Sequence, residues 1–380
     1  FNPSFGRVPR LFLDRSKIVK QLEEDIQDPD SPFLTTLVYG MRGSGKTTLL
    51  TDISHNMMKH DDWLVVDLTM GKRFIPTLIE SVYAQADNSL RKLLTGIDGI
   101  KLSTNGLEID YNHRETLSTN LPYQVLLEKM AEMLKKRGLS LLITIDEISS
   151  TPELREFAGI YQLLLRNNYH IALLMAGLPN KVSELQNDEL LTFLLRSQRI
   201  YLEPLSLLTI KQSYRRAFNR KGRTIDDDTL NQITKMTNGY AYAFQLLGFL
   251  LWRTKETEIT SAVVQKILPN YQAELYRNVY IKMYQELSNK DREFIKAMSE
   301  SGKASVKVAE IAKKMHRDKN YISIYRRRLL DDQLITATKW GEVAFTLPFF
   351  ADFIKEYQTL YYRGTLAFNN KCQSFFGSFK

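Results

Sequence analysis

A glycine-rich loop near the start of the chain limits the possible folds more than any other stretch. Residues 40–47 read Gly-Met-Arg-Gly-Ser-Gly-Lys-Thr and fit the pattern G-x-x-x-x-G-K-[ST]. The apolar and β-branched residues of 34–39 predict a buried strand before the loop, and a helical pattern begins at Thr47. A strand, this loop and a helix in that order build a phosphate-binding loop. We therefore expect an α/β fold with a mostly parallel sheet.

The loop pattern has a physical reason that indicates its ligand. Glycines let successive backbone N–H groups point toward a phosphate anion, and the N-terminus of the following helix favours the same negative charge. Lys46 is expected to reach the β- and γ-phosphates, and the hydroxyl of Thr47 to bind Mg²⁺. The expected cofactors are therefore ATP and Mg²⁺. The expected nucleotide contacts in this stretch are Gly40, Met41, Arg42, Gly43, Ser44, Gly45, Lys46, Thr47 and Thr48.

Two carboxylates follow a second apolar run. The strand predicted at 139–145 ends in Asp146 and Glu147, at the strand end where open α/β sheets bind ligands. Asp146 is expected to hold Mg²⁺, usually through water, and Glu147 to polarise the attacking water as general base. Alone, such a pair also fits a solvated strand end. Following a phosphate loop, it indicates a hydrolase rather than a small-molecule kinase.

Three further residues are candidates for completing the catalytic site. Asn180 follows a predicted core strand, where it would orient the attacking water; a plain turn asparagine after Pro179 fits equally well. Arg196 and Arg199 flank the strand predicted at 199–202. One of them would act as an arginine finger in a neighbouring copy, which would make the chain a homo-oligomer. A solvated surface arginine is the alternative, favoured for Arg199.

The rest of the chain divides by pattern. The predicted core strands are 34–39, 63–68, 139–145, 170–176 and 199–202. Asn105-Gly106 predicts a β-hairpin inserted near 100–112. Strand signals stop after Pro204, and the pattern becomes helical. We expect a P-loop core over 1–203, a small helical lid over 204–275, and a C-terminal domain over 276–380.

The C-terminal part shows the order of a winged helix. Short helices are predicted at 291–298, 306–315 and 320–330, followed by a hairpin over 334–345. Basic residues outnumber acidic ones nine to two between Lys303 and Leu330. The third helix would offer its polar side chains to a groove of duplex DNA, and the wing would add a lysine. The expected DNA contacts are Lys319, Asn320, Tyr321, Ser323, Arg326, Arg327 and Lys339. The alternative is a protein-interaction module with a solvated basic face.

Composition adds weaker constraints. The net charge of +9 and a pI of about 9.3 favour an acidic partner such as nucleic acid. Cys372 is the single cysteine, which excludes an internal disulfide and favours a cytoplasmic protein. No Cys/His spacing indicates a zinc site. The longest apolar runs are too short to cross a bilayer, and no signal peptide is recognised, so no membrane partner is expected.

Four stretches together resemble one family. They are Phe12-Leu13-Asp14-Arg15, the loop at 40–47, Leu194-Leu195-Arg196-Ser197 with the join at 202–206, and the run from Asn238 to Gln245. The chain is similar to the AAA+/STAND-type P-loop ATPases called the archaeal ATPase family, relatives of origin-recognition initiator ATPases. The resemblance implies an ASCE/AAA+-like core, and it places Arg15 in a motif that helps to hold adenine. Asp14 departs from the family's usual glycine. Ala241 stands where initiators carry a sensor arginine and STAND relatives a proline.

Two functions from different classes follow. The leading hypothesis is an ATP-hydrolysing switch that docks on duplex DNA through a winged helix. The alternative is a STAND-like signalling scaffold whose nucleotide state controls oligomerisation and whose winged helix binds protein. A nucleotide kinase or a helicase fits less well, because the chain shows neither a kinase lid nor a tandem helicase core.

Overall fold

A parallel sheet forms the centre of the N-terminal part of the chain. The computed structural model describes residues 1–4, 9, 15–95 and 121–362. The strands of this sheet are β1 Thr35–Tyr39, β2 Trp63–Thr69, β3 Ser140–Asp146, β4 Ile171–Gly177 and β5 Gln198–Tyr201. Their spatial order is β2-β3-β4-β1-β5, and every neighbouring pair is parallel. The predicted parallel-sheet core is confirmed, with each strand within two residues of its expected bounds.

Helices cover both faces of this sheet. The core helices are α1 Ser16–Gln27, α2 Lys46–Met57, α3 Phe74–Gln85, α4 Asn88–Thr95, α5 Tyr123–Lys136, α6 Pro152–Arg166 and α7 Pro179–Gln186. One apolar cluster joins α3, α5 and α6 to one face, and a second joins α1 and α2 to the other. Because both faces are covered, the central strands are apolar along their length, and this pattern makes them recognisable in the sequence. The hairpin expected near 100–112 lies outside the described residues.

A helical segment, residues 204–275, follows the sheet. Its helices are α8 Leu207–Asn219, α9 Asp227–Lys235, α10 Ala241–Arg253 and α11 Ser261–Leu275. It also contains the two-residue strands β6 Thr224–Ile225 and β7 Glu258–Ile259, which pair in parallel. The expectation that strands end at Pro204 was therefore wrong in this detail. Strands of two residues are too short to show an alternating pattern.

The C-terminal segment, residues 276–362, combines helices with a small antiparallel sheet. Its helices are α12 Ile281–Glu286, α13 Asn289–Ser299, α14 Val308–Lys314, α15 Lys319–Asp331 and α16 Phe350–Tyr362. Its strands are β8 Val306–Lys307, β9 Ile335–Lys339 and β10 Glu342–Phe345, in the order β8-β10-β9. The three short helices and the hairpin lie where the sequence predicted them. The short strand β8 was missed and takes the first residues of the second predicted helix.

The helical and C-terminal segments share one hydrophobic core. A single cluster of buried residues runs from Leu205 in the helical segment to Ile354 in α16. The buried Tyr280 contributes to it, and its hydroxyl donates a 2.7 Å hydrogen bond to the carbonyl oxygen of Pro348. Helix α11 also continues through a π-helical turn, Tyr276–Tyr280, into α12. The two segments therefore pack as one unit against the sheet.

In the parts of the chain that the structure describes, no helix combines the length and the apolar character that are needed to span a bilayer.

Candidate functional site

The phosphate loop joins β1 to α2. Gly43 and Gly45 have φ angles of +76° and +96°, in the left-handed region that favours glycine. Gly45 is the residue that precedes the first turn of α2. A Cβ atom on Gly43 would lie 2.2 Å from the hydroxyl oxygen of Tyr240, a residue of the helical segment. The glycines of the pattern thus serve both the loop conformation and the close approach of the neighbouring segment.

The side chain of Lys46 folds back onto the phosphate loop. Its Nζ donates to the carbonyl oxygens of Gly40, at 2.8 Å, and Met41, at 2.9 Å. Burial lowers the pKa of Lys46 to about 8, although the nearby carboxylate of Asp146 acts in the opposite direction. A phosphate anion would add negative charge beside this ammonium group and favour its protonated form. The position of Lys46 therefore suits the role expected from the pattern.

Thr47 and Asp146 meet at the carboxyl end of the sheet. The Thr47 hydroxyl donates to Asp146 Oδ2 at 2.6 Å, although the two residues are far apart in sequence. A hydroxyl oxygen beside a carboxylate is a set of hard oxygen ligands, which is what Mg²⁺ prefers when water and phosphate oxygens complete its shell. The residues present therefore fit Mg²⁺. Elsewhere in the described residues, no group of three or more His, Cys, Asp and Glu side chains could hold a metal ion.

Glu147 follows Asp146 in an unusual backbone conformation. Its φ is +55°, in the left-handed region that non-glycine residues rarely adopt. Its backbone N–H donates to Asp146 Oδ1 at 3.0 Å, and its exposed side chain lines the same cleft as the phosphate loop. Strained backbone of this kind tends to occur at functional sites, where it directs a side chain. This geometry is compatible with a general base that reaches into solvent.

A cleft of about 630 Å³ connects these residues. Its walls come from the phosphate loop, the end of β3, the N-terminal residues Asn2–Ser4, and the helical and C-terminal segments. This volume is in the range of pockets that hold small molecules the size of a nucleotide. Two polar groups of the loop, the Ser44 hydroxyl and Arg42 Nε, are buried without a hydrogen-bond partner among the described residues. Unpaired donors beside a cleft suit a ligand rich in acceptor oxygens.

Arg15 lines this cleft, and its expected contact with adenine stays a prediction. It is buried at the start of α1, and its Nη2 donates to the carbonyl oxygen of Glu203 at 2.7 Å. This bond ties the N-terminal part of the chain to the join between β5 and the helical segment. The three residues before Arg15 in the motif lie outside the described residues.

The structure does not bring Asn180 into the cleft. Helix α7 begins at Pro179, so that Asn180 is exposed and its Oδ1 accepts a hydrogen bond from the backbone N–H of Lys181 at 2.8 Å. Lys181 lines the cleft, and its Nζ is ion-paired with Glu184 at 2.8 Å. The expected water-orienting role of Asn180 is therefore unsupported, and its neighbour Lys181, which the sequence did not indicate, lines the cleft instead. Lys181 comes one residue after Asn180 in α7, and this step along the helix directs its side chain toward the cleft.

The two candidate arginine fingers lie away from the cleft. Arg196 is exposed at the end of the 3₁₀ helix Glu189–Arg196. Arg199 is exposed on the edge strand β5, and its Nη2 is 3.5 Å from the carbonyl oxygen of Leu195. Neither is a lining residue of the cleft. An arginine finger acts on a neighbouring copy, so that this role stays a prediction for both.

The expected DNA contacts divide into exposed and half-buried side chains. Asn320, Ser323 and Arg327 are exposed on one face of α15, spaced so that they share that face. Tyr321 and Arg326 are half-buried. For Lys319 only its place as the first residue of α15 is described. Lys339 is exposed at the end of β9, beside Trp340 at the tip of the hairpin.

Arg328, which extends the basic run of α15, has a structural partner. Its Nε and Nη2 atoms lie 3.0 and 2.6 Å from the two carboxylate oxygens of Asp291 in α13. Asp291 is only 3% exposed. This two-point ion pair holds α15 on α13, and Arg328 is therefore not a free member of the basic face.

Comparison with protein families matches two parts of the chain. Residues 15–192 match the KAP family P-loop domain, and residues 277–354 match a domain of unknown function, DUF8462. An uncharacterized ATP-binding protein of Pyrococcus abyssi is 26% identical over 204 residues. That match covers 51% of this chain and 58% of the relative, so the chain spans little more than half of that protein's length.

Two solved structures share the fold. A Walker-type ATPase of Pyrococcus abyssi is similar with a TM-score of 0.59 and 13% identity, over 90% of this chain and 95% of that one. The ORC2 protein of Aeropyrum pernix, determined in ADPNP–ADP complexes, is similar with a TM-score of 0.59 and 14% identity. That second match covers 95% of this chain and 98% of the neighbour. The chain therefore has the fold of a P-loop NTPase.

Proposed function

We propose that the chain binds and hydrolyses ATP in the cleft beside its phosphate loop. The observation that carries this proposal is the meeting of Lys46, Thr47, Asp146 and Glu147 at the carboxyl end of one parallel sheet. The match to a P-loop domain and the ATP-binding name of the archaeal relative support the same conclusion. Mg²⁺ would be held by Thr47 and Asp146, and it would neutralise phosphate charge when bound.

The protein's own residues have distinct roles in this proposal. Lys46 binds the β- and γ-phosphates, and the backbone N–H groups of the loop hold the remaining phosphate oxygens. Glu147 takes a proton from the attacking water, because it is an exposed cleft carboxylate that follows Asp146 directly and is not engaged with Thr47. Arg15 lies at the edge of the cleft where the adenine of the nucleotide is expected to bind. Arg196 would complete the site of a neighbouring copy in a homo-oligomer.

Replacing Glu147 with glutamine tests the catalytic assignment. The variant should bind ATP–Mg²⁺ as the wild type does and lose hydrolysis by about two to four orders of magnitude, because general-base catalysis contributes that much. Glu156→Gln is the matched control, since Glu156 is an exposed glutamate of α6 outside this cleft. Normal phosphate release from the Glu147 variant would remove Glu147 from the mechanism.

We further propose that the C-terminal segment works as a winged helix on duplex DNA, with nucleotide changing its affinity. The support is the exposed face of α15, which presents Asn320, Ser323 and Arg327 next to a hairpin that carries Lys339. Arginine and lysine supply salt-dependent phosphate contacts, and asparagine, serine and arginine can reach base edges in the major groove. The net charge of +9 favours the same partner.

A labelled random-sequence duplex at two salt concentrations tests this proposal. Binding should weaken with salt, and the double variant Arg327→Ala, Lys339→Ala should reduce the salt slope by about 0.9 for every phosphate that it no longer neutralises. The control removes an equal charge from the helical segment, through Arg216→Ala and Arg220→Ala, two exposed arginines. Equal reductions in both double variants would mean that general charge, and not this face, binds the duplex.

One observation favours the alternative, a signalling scaffold. The same surface carries two apolar side chains, Ile324, which is 65% exposed, and Trp340, which is fully exposed. Exposed apolar residues on a polar face suit a protein partner. A nucleotide-dependent change in mass by light scattering, without affinity for DNA, would support the scaffold and reject the DNA proposal.

A further inference from the structure

Two side chains of the C-terminal segment contact the phosphate loop. The first is Gln333, which follows α15 and adopts a left-handed backbone conformation with a φ of +60°. Its Oε1 accepts a buried 2.7 Å hydrogen bond from the backbone N–H of Met41. The bond joins the N-terminal sheet to the C-terminal segment. The shape of the phosphate loop is therefore partly supported by a residue far away in sequence.

The second side chain is Glu286, the last residue of α12. Its Oε1 lies 3.3 Å from Nη2 of Arg42 in the phosphate loop and 3.4 Å from Nζ of Lys282. Glu286 also lines the cleft together with Lys46. Glu286 adds a further negative charge to the wall of the proposed anion site and repels the charge that the site would bind. Arg42 and Lys282 offset this negative charge, and of the two only Arg42 belongs to the phosphate loop.

A polyphosphate bound in this cleft would compete with Glu286 for Arg42. Both side chains are partly exposed, 34% for Arg42 and 41% for Glu286, so their ion pair is weak and easily exchanged. Arg42 also has a buried Nε without a partner among the described residues, and its guanidinium can therefore take a phosphate oxygen. A triphosphate brings more negative charge into the cleft than a diphosphate and competes more strongly.

We propose that Glu286 sets the discrimination between ATP and ADP. With ADP, Arg42 stays paired with Glu286 and the C-terminal segment stays held on the phosphate loop. With ATP, the γ-phosphate pairs with Arg42 in place of Glu286. Glu286 then lies beside the negative charge of the nucleotide, and this repulsion weakens the contact between the C-terminal segment and the phosphate loop. This inference rests on the proposed function, since it requires that the cleft binds adenine nucleotides.

Hydrogen bonds and an ion pair connect the end of α12 to the proposed DNA surface. Arg292 of α13 donates from Nε to the carbonyl oxygen of Tyr284 at 3.0 Å and from Nη2 to that of Gln285 at 2.8 Å, which ties the end of α12 to α13. Helix α13 in turn holds α15 through the ion pair of Asp291 and Arg328. A displacement of Glu286 is therefore transmitted along hydrogen-bonded elements to α15.

Nucleotide affinities of Glu286→Gln test the proposal. The dissociation constants of ATPγS–Mg²⁺ and ADP–Mg²⁺ are measured for the wild type, for this variant, and for Glu293→Gln, which removes an exposed carboxylate of α13 outside the cleft. We expect the variant to bind ATPγS about fivefold more tightly and ADP less than about twofold more tightly, because only the triphosphate meets the full repulsion. If the ratio of the ATPγS and ADP dissociation constants is the same in Glu286→Gln as in Glu293→Gln, the inference is overturned.

Hydrogen exchange supplies the second readout. Backbone amides of residues 332–347 lie in the part of the C-terminal segment that contacts the phosphate loop through Gln333. The same part contacts the helical segment through Asn238, whose Nδ2 donates to the carbonyl oxygen of Thr346 at 2.8 Å. Their exchange should be faster with ATPγS than with ADP in the wild type and equal with both in Glu286→Gln. Equal exchange in the wild type would overturn the inference. A wild type that binds neither nucleotide would instead overturn the proposed function itself.

Discussion

Replacing Arg328 with alanine should destabilise the protein far more than replacing its neighbour Arg327. The Arg328 side chain neutralises Asp291, whose side chain is only 4% exposed. Removing one partner of a buried ion pair costs about 3 to 5 kcal/mol, because the other charge stays buried. Arg328 itself is 43% exposed, and the Ser288 hydroxyl still donates to Asp291 at 2.6 Å. We therefore lower the expected loss of stability to about 2 to 4 kcal/mol.

Urea unfolding of the two variants measures this difference. Arg327 is 87% exposed and lies 4.0 Å from Asp331, so Arg327→Ala should change the free energy of unfolding by less than about 0.5 kcal/mol. Arg328→Ala combined with Asp291→Asn should recover part of the stability, because no charge is then left buried. Free energies of unfolding that agree within about 0.5 kcal/mol for Arg327→Ala and Arg328→Ala would refute the ion-pair argument.

Two further predictions concern the carboxyl group of Asp332 and the contact between the phosphate loop and the helical segment. Burial raises the pKa of Asp332 to about 6, above the roughly 3.9 of an unfolded aspartate. The protonated carboxyl therefore contributes to the free energy of unfolding below about pH 4, and this contribution is lost as pH rises through 6. Asp332→Asn should therefore gain about 1 to 3 kcal/mol at about pH 7.5 and almost nothing at about pH 4, measured by urea unfolding; an equal gain at both pH values would reject this. Gly43→Ala should weaken ATP binding by about tenfold or more, because its Cβ would collide with Tyr240 and the backbone would be strained. Gly71→Ala, where a Cβ meets nothing within 4 Å, is the control for calorimetric titration, and equal affinities would contradict the prediction.

Local patterns in the sequence predicted most of the core. The strands are continuous apolar runs because helices cover both faces of the sheet, and the phosphate loop is specified by glycines at fixed positions. Thr47 and Asp146 were expected to share a metal, and they meet at 2.6 Å, because the carboxyl ends of parallel strands lie at one edge. These features depend on the local chain and on one general rule of topology.

Features that depend on distant contacts could not be predicted. No local pattern connects Met41 to Gln333, and no charge run connects Arg42 to Glu286; both pairs exist because the C-terminal segment packs against the loop. The shared core of the helical and C-terminal segments was equally invisible, since each segment has an ordinary helical pattern of its own. The ion pair that occupies Arg328 removes one residue from a basic run that the sequence presents as continuous.

The central claim is that the phosphate loop holds ATP–Mg²⁺ through Lys46. Calorimetric titration of the wild type and of Lys46→Ala with ATP–Mg²⁺ tests it most directly. Lys46 is half-buried beside the loop carbonyls and lines the cleft. Its removal should weaken binding by about 1.5 to 3 kcal/mol, which is what a hydrogen bond to a charged group contributes, or roughly tenfold to more than a hundredfold. We expect saturable binding by the wild type and at least about tenfold weaker binding by the variant. Equal affinity in the two proteins, or no binding by the wild type, would contradict it.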